Sequence, residues 1–289
     1  MLDPQAIRAV VFAGGGCRCF WQAGLWEEAG HALRPDAVAS VSAGAAFACA
    51  ALGGRTRAVL DAFKRRTAAN PSNLHLRNVR GGGPLFPHYA MYRGTILETT
   101  TEQMLAALRE GPQIHVMLAH APLGWHPAVA AAVGLVAYRV ERKVARRIRA
   151  RWPLRLGYEP TMVRADTCAN ADELADLILQ SSCVPPLMPL MRRGTRGVLD
   201  GALVDGVPVE QVAHLGPTLV LLSRHDDVIP TPPGVVAVRP SAPLPIKLWD
   251  YASPQRVQAT FDQGRRDGEL LARALEAGAP LPASLDVRA

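Results

Sequence analysis

The sequence predicts an α/β protein of three layers, a mostly parallel central sheet with helices on both faces. Short runs of apolar and β-branched residues alternate with longer runs of helical character. Two of the strand-like runs pass directly into helices through a glycine or serine turn. Neither an internal repeat nor a long linker interrupts the 289 residues, so one domain spanning 1–289 is expected.

The elements follow in chain order. Residues 9–13 (AVVFA) read as a buried strand that runs into Gly14, Gly15 and Gly16, and 21–29 as a helix ended by Gly30. A second strand covers 36–41, and Ser42 opens a small-residue helix that stops at Gly53 and Gly54. Residues 58–69 have helical spacing, and 70–88 are turn-rich and read as a loop. The pattern then predicts a helix over 95–108, a strand over 114–119, a strand over 162–166 and a helix over 172–179. Strands at 218–222 and 235–238 precede a closing helix, 253–277. A basic helical segment, 126–155, reads as an insertion in this pattern.

Composition excludes several classes. With 49% hydrophobic and 20% charged residues the chain is not disordered. No apolar run approaches the roughly 20 residues of a membrane-spanning helix. No basic leader followed by a long apolar stretch suggests a signal peptide. Five cysteines, an odd number without metal-ligand spacing, point to reduced thiols in a cytoplasmic protein. The net charge of +7 is local. Residues 139–155 hold eight bases and one acid, Glu141, and the rest of the chain is charge-balanced.

Three short motifs can carry chemistry. The first is Gly14-Gly15-Gly16-Cys17-Arg18 between a strand and a helix. Glycines let several backbone N–H groups turn inward, and the helix N-terminus adds positive potential, so such a loop can hold a phosphate or a developing oxyanion. The dinucleotide pattern G-x-G-x-x-G and the phosphate-loop G-K-[ST] are both absent. The plainer alternative is a tight strand-to-helix turn. The second motif is Ser40-Val41-Ser42-Ala43-Gly44. It fits a nucleophile elbow, in which small neighbours let the serine hydroxyl stand clear, and equally an N-cap serine. The third is Asp200-Gly201-Ala202, a carboxylate at a strand end or an ordinary Asp-Gly turn; Asp205-Gly206 is a second such pair.

Together the three pieces resemble the patatin-like phospholipase family, in which G-G-G-x-[KR]-G supplies an oxyanion hole, the serine of G-x-S-x-G is the nucleophile and the aspartate of D-G-[GA] is its base. The stretch from Ser181 to Pro189 also resembles the proline-bearing segment before the family's aspartate motif. The resemblance covers roughly 10–207 plus the closing helix around Asp262-Gln263-Gly264. It implies a patatin-like sheet fold, Ser42 as nucleophile and Asp200 as base. It further implies Gly14, Gly15, Gly16, Cys17 and Arg18 as the oxyanion-binding loop, with no cofactor and no metal. The implied activity is hydrolysis of a lipid or phospholipid ester, as by a phospholipase A or lysophospholipase. Two positions depart from the pattern, Cys19 for the loop's last glycine and Ser40 for the elbow's first. Lower activity or narrower specificity is expected from them. A relative that binds membrane without catalysis is the alternative. His214 and His225 lie downstream of Asp200, where a Ser-Asp-His triad would place its histidine; a surface or loop position is the plainer reading of each.

The basic segment has helical spacing. Val133, Val136, Val140, Val144, Ile148 and Trp152 share a stripe with bases between them, among them Arg139, Arg142, Lys143, Arg146 and Arg147. Such a helix suits an anionic membrane surface; a solvated helix packed on the domain is the alternative. Nucleic acid is not expected, because interleaved aromatics and reader motifs are lacking. The oligomeric state is left open.

Overall fold

The computed structural model describes residues 6–78, 83–145, 151–227 and 229–287, with backbone alone at 142–145. Five parallel strands form the centre of one eight-stranded sheet: β1 (Ala9–Phe12), β2 (Ala37–Val41), β3 (Gln113–His120), β7 (Thr218–Leu221) and β8 (Val235–Val238), in the spatial order β3-β2-β1-β7-β8. An antiparallel hairpin, β5 (Met191–Arg193) and β6 (Arg196–Asp200), and the strand β4 (Glu159–Arg164) complete it on β3.

One pairing detail positions the site. β2 runs parallel to β3 and ends with Val41 opposite Met117. β6 runs antiparallel to β3 and ends with Asp200 opposite Leu118. β4 already occupies the other edge of β3 over 115–120, so β2 and β6 share one edge and meet end to end. The residue after Val41 and the last residue of β6 are thereby brought face to face.

Side chains alternate across the sheet with a period of two. Val10, Phe12, Val38, Leu219 and Leu221 pack under α1 (Phe20–Ala29), α2 (Ala43–Leu52), α3 (Thr56–Ala69) and α9 (Pro254–Glu276). Ile114, Val116 and Leu118 continue this face under α4 (His88–Thr99), α5 (Glu102–Glu110) and α8 (Ala171–Ser181). On the opposite face Ala9, Val11, Ala37 and Ala39 lie under the 3-10 turns of 201–215 and the segment around Ile229. Val41, Met117 and Ala119 are covered there by Ala130 and Ala131 of α6 (Pro127–Ala145). The layers are therefore unequal, a full set of helices against one long helix and short turns. Each fully buried side chain of the size of Phe12 or Leu25 contributes about 1.5–3 kcal/mol.

Helix α1 is buried over Phe20–Leu25 and at Ala29, with Glu27 and Glu28 half-buried in ion pairs to Arg57 and Arg265. Its polar Gln22 is retained because Nε2 donates to the carbonyls of Ala13 and Leu221, at 2.9 and 2.8 Å. Trp21 Nε1 donates to buried Asp267 of α9 at 2.7 Å. The two helices touch backbone to backbone, and a Cβ on Gly264 would stand 2.1 Å from the Trp21 carbonyl oxygen. Gly264→Ala is accordingly expected to destabilise the fold by about 3 kcal/mol, the upper range for overpacking, read as a lower denaturant midpoint with an unchanged m-value.

The structure corrects several element expectations. The helix over 95–108 is two, α4 and α5, because Thr101 is extended and its Oγ1 accepts the Met104 amide at 3.2 Å, an N-cap that starts a new helix. The strand over 162–166 is displaced to Glu159–Arg164, and Asp166 leaves it to accept the Ile114 amide at 3.0 Å. The hairpin of β5 and β6 escaped the pattern, being short and half polar; it turns at Gly194, whose φ is +60°. The basic segment is α6 followed by α7 (Trp152–Arg155). Its single acid, Glu141, is buried and ties the two together by accepting the amides of Arg151 and Trp152, each at 2.8 Å. Among the described residues no helix is long and apolar enough to cross a membrane, and all five cysteines are free thiols, buried.

Candidate active site

Ser42 occupies the turn between β2 and α2 with φ +55° and ψ −136°, the only non-glycine with positive φ among the described residues. Left-handed backbone at a residue with a Cβ costs about 1–3 kcal/mol and persists only where the surroundings impose it. They do so here. Gly44 lies against β1 so closely that a Cβ would stand 2.5 Å from the Phe12 carbonyl oxygen. The Ser42 amide donates to Ser181 Oγ at 2.8 Å, and Ser181 Oγ donates to the Met117 carbonyl at 2.7 Å. Ser181 thus pins the turn to β3.

The Ser42 hydroxyl donates to Asp200 Oδ2 at 2.6 Å. The other carboxylate oxygen, Oδ1, accepts the Ala202 amide at 2.8 Å, and the Asp200 amide donates to the Cys183 carbonyl at 2.8 Å. Burial pushes the Asp200 carboxyl up to about 6, against the opposing effect of its two hydrogen bonds. Asp205 does something different: Oδ1 accepts the Val207 amide at 2.9 Å in its own turn.

The glycine loop stands beside this pair. Gly16 has φ +54°, and a Cβ there would stand 2.2 Å from the Leu248 carbonyl oxygen. Of the five loop residues singled out in the sequence, three have committed amides. Gly14 donates to Gly206 O at 3.1 Å, Cys17 to Leu248 O at 3.0 Å and Arg18 to Gly15 O at 3.2 Å. Among the described residues the amides of Gly15 and Gly16 carry no such backbone bond. The amides of Gly14, Cys17 and Arg18 thus fix the loop in place.

Neither departure from the family pattern crowds the turn. Ser40 is buried and its hydroxyl donates to the His115 carbonyl at 3.2 Å. The Cys19 thiol, also buried, turns back toward the Ala13 carbonyl at 3.6 Å. Of the downstream histidines, His214 is exposed and the His225 ring faces the Pro240 carbonyl at 2.8 Å; neither lines a cavity with Ser42. The histidine that does is His88, which the sequence gave no reason to choose. It is buried against Tyr251 with ring centroids 4.3 Å apart, and burial lowers its pKa.

Ser42, Asp200 and the three loop glycines line one cleft of about 930 Å³. The Arg18 guanidinium lies at its wall near Arg224, which pairs with Asp226 at 2.9 Å. Arg139 of α6 lines the same cleft. Of the other basic residues assigned to a membrane surface, the side chains of Arg142 and Lys143 and all of Arg146 and Arg147 lie outside the described residues, as do the Val144 side chain and Ile148.

The mixed sheet thus holds a serine on a strained strand-to-helix turn against a buried carboxylate. Residues 10–213 match the family described as patatin-like phospholipase, and the chain belongs to that family. Its members act on lipid acyl esters. The crystal structure of VipD from Legionella pneumophila aligns over 93% of this chain and 67% of that one, with 11% identity and a TM-score of 0.44. No curated protein matches the chain.

Proposed function

We propose that the protein hydrolyses carboxylic esters of lipids through a Ser42–Asp200 dyad, as a phospholipase A or lysophospholipase does. The observation that carries this reading is the 2.6 Å hydrogen bond from a strained, buried serine to a buried carboxylate. Serine is a weak nucleophile until a base takes its proton. Ser42 Oγ attacks the ester carbonyl carbon while Asp200 accepts the hydroxyl proton. The amides of Gly15 and Gly16 receive the oxyanion; one such donor supports about 2.7–4 kcal/mol of barrier reduction. Collapse breaks the ester C–O bond, and Asp200 returns the proton to the departing alcohol. Water then attacks the acyl-enzyme, Asp200 takes its proton, and the acid leaves as Ser42 recovers its hydrogen.

The cleft mouth suits a lipid surface. Val129, Val136 and Val140 on α6 are 53%, 62% and 41% exposed, and Trp125 and Trp152 are 39% and 41% exposed. An apolar stripe flanked by bases favours an anionic leaflet, at about 1 kcal/mol per base near the surface. Binding to vesicles is expected to rise with anionic lipid and fall with salt, because exposed charges are screened over roughly 8–10 Å. Val136→Asp with Val140→Asp is expected to weaken vesicle binding at least fivefold in a sedimentation assay.

The deciding experiment for catalysis is turnover of a p-nitrophenyl acyl ester together with labelling by a fluorophosphonate. Turnover and labelling, both lost in Ser42→Ala, support the dyad. Vesicle binding without turnover or labelling would instead identify a catalytically silent membrane-bound protein.

A further inference from the structure

The dyad leaves one buried polar atom beside Ser42 without a use. Besides the outer cleft, Ser42 lines a cavity of about 10 Å³ together with Gly16, His88, Tyr92, Ser182 and Trp249. The His88 residue is 2% exposed, and its Nε2 lies 3.3 Å from the Trp249 carbonyl oxygen. A carbonyl only accepts, so Nε2 carries the ring hydrogen. Burial lowers the pKa of this histidine and favours its neutral form. Nδ1 is then a lone-pair acceptor. It is buried and has no hydrogen-bond partner among the described residues. Buried acceptors in folded proteins are met by a protein donor or by an ordered water.

The cavity supplies what a water needs. Its volume is that of a single water, which requires two to four polar partners. Tyr92 Oη and Ser182 Oγ stand 3.4 Å apart on its wall. Burial pushes the Tyr92 phenol up, so it stays protonated. One hydroxyl donates to the other, which leaves one hydroxyl hydrogen for a third group. A water placed here accepts that hydrogen and donates one of its own to His88 Nδ1. Its second hydrogen remains.

We propose that the cavity holds one water fixed by His88 Nδ1, and that the water's second hydrogen is a third donor to the oxyanion formed on the ester at Ser42. This rests on the dyad reading given above. The lining decides between stabilising the oxyanion and attacking the acyl group. Gly16, one of the two loop residues whose amides carry no backbone bond among the described residues, lines this cavity, and Asp200 does not. The water therefore stands on the oxyanion side of Ser42, away from the base, and is not the nucleophile of the second step. It donates a hydrogen bond and transfers no proton, so the proton balance of the dyad is unchanged. His88 acts through it as a positioning residue.

Two variants separate the acceptor from the packing. His88→Phe keeps an aromatic ring against Tyr251, whose centroid lies 4.3 Å from that of His88, and removes the acceptor. His88→Asn gives up the ring but can set its side-chain oxygen where Nδ1 stood. Both lose the Nε2 contact with Trp249. With p-nitrophenyl butyrate, His88→Phe is expected to lower kcat and kcat/KM together, by about tenfold to a hundredfold, with KM within about twofold, as when an interaction made only in the transition state is lost. His88→Asn is expected to stay within about fivefold of wild type. A trifluoromethyl ketone, which adds to Ser42 as a tetrahedral oxyanion, is expected to lose affinity in His88→Phe by the same factor as kcat/KM. Independently of any variant, a high-resolution crystal structure of the wild type is expected to show one water about 2.7–3.2 Å from His88 Nδ1. A phenylalanine protein at least as active as the asparagine protein, which is the order that packing alone would give, overturns the proposal. So does a wild-type crystal without a water at Nδ1. Failure of the dyad reads differently: the wild type then turns over no ester and takes no fluorophosphonate label, and the oxyanion role falls with it even where the water is present.

Discussion

Ser42→Ala is expected to lower kcat for ester hydrolysis by about 10⁴–10⁶-fold, the scale seen when a serine nucleophile is removed. The loss is chemical rather than structural, because among the described residues the hydroxyl's only hydrogen-bond partner is Asp200 Oδ2. The turn itself is held by the Ser42 amide on Ser181 and by the tight approach of Gly44 to β1, neither of which the alanine removes. Fluorophosphonate labelling, followed by mass spectrometry of the modified peptide, checks the claim, and labelling that persists in the alanine protein refutes it. The strain at Ser42 gives a companion result. Glycine tolerates φ +55° without a Cβ penalty, so Ser42→Gly is expected to be about 1 kcal/mol more stable than Ser42→Ala after glycine's own entropic cost. A serine kept at this position against that preference supports a chemical role for it.

Asp200→Asn is expected to lose about 10³–10⁴-fold in kcat/KM while making the protein more stable at neutral pH. The two effects have one origin. Burial raises the Asp200 carboxyl to about 6, above the roughly 3.9 of an unfolded aspartate. Between about pH 4 and pH 6 the folded protein therefore binds more protons than the unfolded chain, and stability falls as pH rises through that window. Above it the folded state carries a penalty on the order of 3 kcal/mol for holding the buried charge, and asparagine removes that charge. The Tm difference between Asp200→Asn and wild type should be largest near pH 8 and should vanish below about pH 4. Activity runs the other way, since only the carboxylate can accept the Ser42 proton. In the wild type kcat/KM should level off above about pH 7 and fall tenfold for each unit below pH 6. An asparagine protein as active as wild type, or a His88→Ala protein as inactive as Asp200→Asn, would move the base assignment to another group.

Ser42 and Asp200, the two residues proposed to react, could be singled out in the sequence because each sits in a short local pattern of apolar strand and small-residue turn. Ser42 needs an apolar strand before it and small residues after it, and 37–52 supply both within sixteen residues. The glycine loop announces itself in the same way. Which of its amides remain available was not legible, since Gly14, Cys17 and Arg18 are satisfied by carbonyls at 206, 248 and 15, and two of those three lie some two hundred residues away in the chain. His88 escaped notice because nothing local distinguishes it. It reaches the cavity beside Ser42 only through the packing of α4 against Tyr251 and Trp249. The hairpin of β5 and β6 was missed because half of its residues face solvent and its apolar run is too short to read.

The sequence by itself determined the alternation of strands and helices, the parallel centre of the sheet, the serine turn and the cluster of bases at 139–155, because each is written in residues close together. Tertiary structure alone decided that Asp200 faces Ser42. The two are 158 residues apart, and the contact exists because β2 and β6 meet end to end on one edge of β3 while β4 fills the other. It also decided the protonation of that aspartate, since the rise to about 6 comes from burial, a property of packing that no run of residues carries on its own.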